Sequence, residues 1–364
     1  MTWTRRFFDQ FEWLHKPISP IEQSFVLVLQ IDNSVNTIFQ RLGLKAPKKA
    51  WKIIDGYLYL SSDYWRLFLQ PGLIILPLKV KSEIKIAKNR WLNQVIPRYS
   101  TEHTKLSKTN LKSSSSEKLV DVLKQTAELE GWLLGESLFV GLICGITELL
   151  LKFTYLIFVK DQNPQNYREL LIGFSDKGLE MDTKLWDIAQ TGDVNKKKDE
   201  LRKWIDQYGY RIQDNDLLYP TLGEKRELID SYLNLYQSVP DPRQRQKSSE
   251  EKRLAREKFA RQNNRFAYSI LRTIVKQAQE YAQVRNSRPY YYQGNKIMRS
   301  VLLEIAARTS FFDDNKDIFF LKIEEVEQLT KNKLNKEQAR NLIGGRKLDY
   351  DNQLRAEPKF EVNL

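Results

Sequence analysis

Apolar residues recur three and four positions apart without interruption from residue 117 to 160, the period of a helix face and not of a strand. Two long helices are expected there, opened by the serines ahead of "EKLVDVLKQTAELEGWLL", which serve as N-caps. "NPQNYRELLIGFS" and "MDTKLWDIAQTGDVNKKKDELRKWIDQYG" read as shorter helices, and Pro220 and Gly223 then break the period before it resumes. "EEKRLAREKFARQNNRFAYSILRTIVKQAQEYAQVRN" predicts another long helix, with Phe266, Ile270 and Ile274 on one stripe. Residues 1–98 differ: short apolar-aromatic segments alternate with Pro and Gly, predicting helices and loops with one short strand pair near "GYLYLS".

The pattern predicts a mainly α fold, a multi-helix domain with long buried helices and a minor irregular or short-strand N-terminal region. Its divisions are 1–99, the N-terminal part of the helical domain; 100–118, a flexible Ser/Lys-rich linker; and 119–239, central helices. A solvated linker (240–249), a long helix with an Arg/Tyr helix and acidic turn (250–330), and an exit helix with a C-terminal tail (331–364) follow.

Charge changes the picture only in part. The net charge of +13 points to a polyanionic partner, but the basic residues form dispersed clusters instead of one stripe with interleaved aromatics. That dispersal argues against nucleic acid and for solvated helix faces. The run "SLFVGLICGITELLLKFTYLIFV" (137–159) is long enough to cross a bilayer, yet Glu148 and Lys152 stand four apart near its middle. A buried helix of a soluble protein is expected, with membrane association through 137–159 kept as a third reading. The one cysteine, Cys144, excludes an internal disulfide, and His15 and His103 are far apart, with His103 in a polar stretch that reads as a loop. No zinc-like cluster or signal peptide is visible, so a cytoplasmic protein is expected. No Walker-type loop, G-x-G-x-x-G, G-x-S-x-G or H-E-x-x-H occurs.

The candidate chemistry lies in residues 285–329, "RNSRPYYYQGNKIMRSVLLEIAARTSFFDDNKDIFFLKIEEVEQL". Pro289 divides it, so Arg285 and Arg288 end one helix, where cations suit the dipole, and 290–308 begin the next. Tyr292, Lys296, Arg299 and Leu303 share a face by spacing, and an Arg and a Lys on a half-aromatic face can clamp phosphate or carboxylate oxygens. The tyrosines serve equally well as core with hydroxyls at the rim.

This stretch resembles the end of the middle helical domain of the PEP-utilising phosphotransferases, the group of phosphoenolpyruvate synthase, pyruvate phosphate dikinase and rifamycin phosphotransferase. Three further segments resemble that family in the same order. They are "WTRRFFDQFEWLHKPISPIEQS" with Pro17, Ser19, Pro20 and Ser24, then "IIDGYLYLS", then "YGYRIQDNDLLYPTLGE" with Gly209, Arg211, Asp214 or Asp216, and Pro220. Asn286 stands where the family carries an acidic residue, Tyr210 where His is frequent, and Thr221 where Trp is frequent.

The resemblance implies a stand-alone acceptor-binding or scaffold subunit of a split PEP-synthase-like phosphotransferase. The expected partners are separate ATP-grasp and phosphohistidine domain proteins and a small-molecule acceptor. No cofactor is expected on this chain alone, ATP and Mg belonging to a partner chain, and no catalysis is expected without those partners. Arg285, Lys296, Arg299 and Arg211 are the candidate anion-binding residues, acting electrostatically at the mouth of a largely apolar pocket. The alternative is a non-catalytic interaction module that keeps the fold and docks an acidic partner, a reading favoured by Tyr210 and Asn286.

Overall fold

The computed structural model describes residues 2–6, 15–46, 51–61, 76–159, 161–211, 216–263, 265–309 and 311–363. Asp214, and the side chains of Phe266 and Ile270, lie outside the described residues. The fold is mainly α, with a small sheet built from both ends of the chain.

The centre is a single helix, α4 (Ser116–Phe158), where two helices were expected. No proline interrupts it, and Ser115 caps its start by accepting from the Lys118 amide. Gly131 and Gly135 sit where α1 (Leu27–Leu42) crosses, against the main-chain oxygens of Leu29 and Asn33. A side chain at either position would collide with α1, so these glycines permit contact without breaking the helix.

Around α4 lie α2 (Leu76–Arg90), α3 (Ile96–Ser107), α9 (Arg265–Ser287) and α10 (Gly294–Arg308). Of residues 100–118, expected as a flexible linker, 100–107 are the last turns of α3 and 116–118 the first of α4, so the connection is short and His103 is helical. The 240–249 linker is corrected more sharply, because α8 (Pro242–Asn263) occupies most of it. Asp241 accepts from the Arg243 amide and Pro242 takes the first helical position, which is a helix start and not a spacer. Residues 290–293 are likewise not helix α10: a 3-10 turn, Arg288–Tyr291, follows α9, and α10 begins at Gly294.

Helices α5 (Lys177–Gln190), α6 (Val194–Tyr208) and α7 (Arg226–Ser238) form a smaller core around Leu185, Leu201, Trp204 and Ile229. The large core joins α4 and α10 to α11 (Ile323–Thr330) and α12 (Lys336–Arg355) through the fully buried Ile318 and Phe319.

The expected strand pair is the hairpin β2 (Trp51–Ile54) and β3 (Tyr57–Ser61). Its turn, Asp55-Gly56, has positive φ at both residues, the conformation that an Asp-Gly pair favours between twisted strands. β1 (Thr2–Thr4) adds antiparallel to β3, and β4 (Glu361–Asn363) to β1, giving the order β2-β3-β1-β4.

Candidate functional site

The structure distributes the four candidate cations over four settings. Arg299, on α10, is 1% exposed. Its Nε lies 2.9 and 3.0 Å from the two carboxylate oxygens of Glu224, Nη1 donates to the Leu217 and Leu218 carbonyls, and the guanidinium stacks 4.9 Å from the Phe319 ring. Lys296, three residues earlier and expected on the same face, is exposed. Arg285 pairs with Glu148 of α4 at 2.6 Å, a half-exposed ion pair worth under about 1 kcal/mol. Neighbouring Arg288 donates to the Ser137 carbonyl, and its guanidinium lies where a side chain at Gly141 would stand.

Arg299 belongs to a buried polar network that draws distant segments of the chain together. Ser19 donates from both its amide and its hydroxyl to Asp216 at 2.7 Å, and Asp216 also accepts from the Leu218 amide at 2.8 Å. Glu22 accepts from the Leu217 amide at 3.1 Å. Burial, with the Asp216 charge beside it, holds the Glu22 carboxyl well above the usual carboxylate range. Ser24 accepts from the Ile323 amide, and Thr221 forms a capping box with the same Glu224 that holds Arg299. In the second segment, the Gly56 carbonyl accepts from the Ile18 amide. These residues fix how distant parts of the chain meet.

Arg211 is held differently. Gly209 ends α6 and lies against Gly223, and two main-chain bonds, Leu222 to Arg211 at 2.6 Å and Gly223 to Gly209 at 2.8 Å, tie the two segments together. The Arg211 side chain lies over the Tyr290 ring, 4.7 Å from its centre, with Nη1 3.5 Å from the Met181 sulfur. No carboxylate forms an ion pair with it among the described residues. It lines a cleft of about 440 Å³ between α5, α6 and α7, floored by Leu185, Trp204, Leu222 and Leu228.

Asp182 and Tyr236 line both this cleft and a neighbouring one of about 700 Å³ beneath the start of α8. Burial raises the Asp182 carboxyl, partly countered by the Tyr236 hydroxyl and the charges of Arg211 and Arg245. The Tyr236 phenol is pushed up to about 12, first by burial and then by Asp182. The cleft around Arg211 therefore pairs an apolar, aromatic floor with the Asp182 carboxylate, the Arg211 guanidinium, Lys225 and the phenols of Tyr232 and Tyr236, a composition suited to a small, largely apolar molecule carrying a hydroxyl or amine and an anionic group.

Lys296 lines a second, more polar cleft of about 330 Å³ with His103, Asp206, Tyr210 and Gln293. Tyr210 donates its hydroxyl to the Tyr290 carbonyl at 2.6 Å, so the 209–211 turn divides the two clefts. His103 stacks on Tyr99, and burial, with Lys296 nearby, lowers its pKa.

Asp182, Tyr236 and Arg245 were missed by sequence reasoning, which looked for clustered cations. The available signal was Asp182 beside Met181 and Leu185, a carboxylate at the edge of an apolar helix face. No family model matches the chain, and a comparison with curated proteins found no match.

Proposed function

We propose that this chain is the acceptor-binding subunit of a divided phosphotransferase of the PEP-synthase kind, with the phosphate-carrying chemistry supplied by separate chains. The observation that carries this reading is the α5–α7 groove. It holds one of the four candidate cations, Arg211, outside any ion pair among the described residues, in the same cleft as Asp182. In this reading the aromatic floor binds the body of the acceptor, Asp182 and Tyr236 orient its hydroxyl, and Arg211 meets the negative charge of the incoming phosphoryl group. Arg299 and Arg285 hold the scaffold, since their donors are engaged by Glu224, loop carbonyls and Glu148. That engagement is also what favours the second reading, an interaction module on the same scaffold.

Native mass spectrometry of the purified chain, incubated with a filtered small-molecule extract of its host, separates the two. A retained small molecule is expected. Arg211→Ala should weaken its binding roughly 10- to 100-fold through loss of a charge-assisted hydrogen bond. Leu228→Trp, which fills the groove, should abolish it. No retained molecule, or undiminished retention by both variants, would favour the interaction module.

A further inference from the structure

The cleft of about 330 Å³ that Lys296 lines is walled by the end of α3, the end of α6 and the first part of α10. Tyr210 stands in its wall, while Arg211, the next residue, lines the other cleft. Several of its polar side chains have no partner within the protein. Of the three cations on α10, Arg299 is engaged by Glu224 and Arg308 by Glu304, but Lys296 makes neither an ion pair nor a side-chain hydrogen bond among the described residues. Thr109 and Ser300 are half-buried in the same wall, and neither hydroxyl makes a hydrogen bond among the described residues. Three donors from two segments therefore open on one space.

His103 lies among them. Tyr99 stacks on its ring at 5.7 Å, with Glu130 behind the Tyr99 hydroxyl. Burial lowers the His103 pKa, the Gln293 main chain acts to raise it, and the Lys296 charge lowers it further. The one carboxylate in the cleft is Asp206 of α6, which is exposed and forms no salt bridge with Lys296. A ligand that meets both walls offers acceptor oxygens to Lys296 and a donor to Asp206. The cation is a lysine, a point charge with rotatable donors, and the hydroxyls beside it come from separate segments. That arrangement suits a tetrahedral phosphate, whereas a planar carboxylate is matched by a guanidinium fork. The volume also exceeds what a bare phosphate fills and lies at the small end of ligand clefts. We propose that this cleft binds a small hydroxylated phosphomonoester, with Lys296, Thr109 and Ser300 on the phosphate, His103 beside it, and Asp206 accepting from a hydroxyl of the organic part. The inference is independent of the Arg211 cleft and its acceptor.

Proton NMR of the histidine rings tests it on the full chain, which has two histidines, with His103→Gln to assign the signals and His15 as the control. Titrations are run at constant ionic strength with sodium chloride alone, inorganic phosphate, glycerol 3-phosphate or glycerate. Glycerol 3-phosphate should raise the His103 pKa by about 1 or more, because the bound dianion favours the charged imidazole. Inorganic phosphate should act in the same direction at higher concentration. Lys296→Ala should weaken both roughly 10-fold or more, and Asp206→Ala should erase the preference for the glycerol ester. Both side chains are exposed, so neither variant disturbs the core. An unmoved His103, a shift that chloride reproduces, or binding unaffected by Lys296→Ala overturns the proposal. Equal binding of phosphate and its glycerol ester overturns the role of Asp206, and a response to glycerate alone makes this a carboxylate site instead.

Discussion

Arg299→Met is expected to destabilise the fold by about 3 kcal/mol or more, the larger effect among substitutions at the four candidate cations. The guanidinium is the donor for the Leu217 and Leu218 carbonyls, and Leu217 is fully buried, so methionine leaves main-chain acceptors without a partner. It also frees Glu224 from the ion pair that anchors the Thr221 capping box, and removes the planar cation from the face of Phe319. Arg299→Lys should recover only part of the loss, since an ammonium cannot reach carboxylate and carbonyls in one plane. Urea denaturation reads this directly, as a lower midpoint at unchanged slope. A midpoint within experimental error of the parent would show that the 216–224 loop does not depend on Arg299.

A pH-dependent loss of similar size is expected from Glu130. This carboxyl, on α4, is fully buried beneath the start of α10, where it accepts from the Gly294 amide at 2.7 Å and from the Tyr99 hydroxyl. Tyr99 in turn accepts from the Gln293 amide at 3.0 Å, so one acidic side chain organises both amides at the helix entrance. Burial pushes the Glu130 pKa up to about 7 from an ordinary 4.5, against the hydrogen bonds, which act to lower it. The folded state therefore holds its proton more tightly than the unfolded chain. Between about pH 4.5 and pH 7 the unfolded chain gives up that proton while the folded chain keeps it, so stability falls as pH rises. The total is about 3 kcal/mol, reached near pH 7 and constant above it. Glu130→Gln retains an acceptor for Tyr99 and Gly294 without a titrating proton. The difference between parent and Glu130→Gln stabilities, measured by denaturation from pH 4.5 to 8, should slope through that window. A flat difference would mean that Glu130 titrates alike in both states.

The helical character of the chain was legible because it is carried by spacing, which one sequence contains in full. Where α4 would stop was not. Gly131 and Gly135 look like helix breakers in isolation, and only the approach of α1 turns them into contact residues. Asp241-Pro242 was legible as punctuation but ambiguous in meaning, since the same pair serves a linker or a helix start. The four-stranded sheet was half legible: the Asp-Gly turn marks its hairpin, whereas β1 and β4 are three residues each and acquire meaning only from pairing across the length of the chain.

The candidate site shows the same division. Lys296 and Arg299 are three apart, close enough to share a helix face, but 60° of rotation separates a buried guanidinium from an exposed ammonium. Helical spacing says which residues are neighbours and not which side the rest of the protein covers. Ser19 and Asp216 were singled out through the resemblance and Arg299 through helical spacing, and the structure brings these three into one buried network, whereas Ser24 accepts from the Ile323 amide outside it. Their shared feature is chain crossing. Asp182 carried no motif, and its place in one cleft with Arg211 depends on α5, α6 and α7 meeting, which no local pattern specifies.

Affinity purification from the native host, with the intact chain as bait and its partners identified by mass spectrometry, tests the divided-phosphotransferase reading most directly. The account predicts recovery of separate polypeptides bearing an ATP-grasp domain and a phosphohistidine domain. Their absence, with the chain recovered alone or within an unrelated assembly, would contradict it.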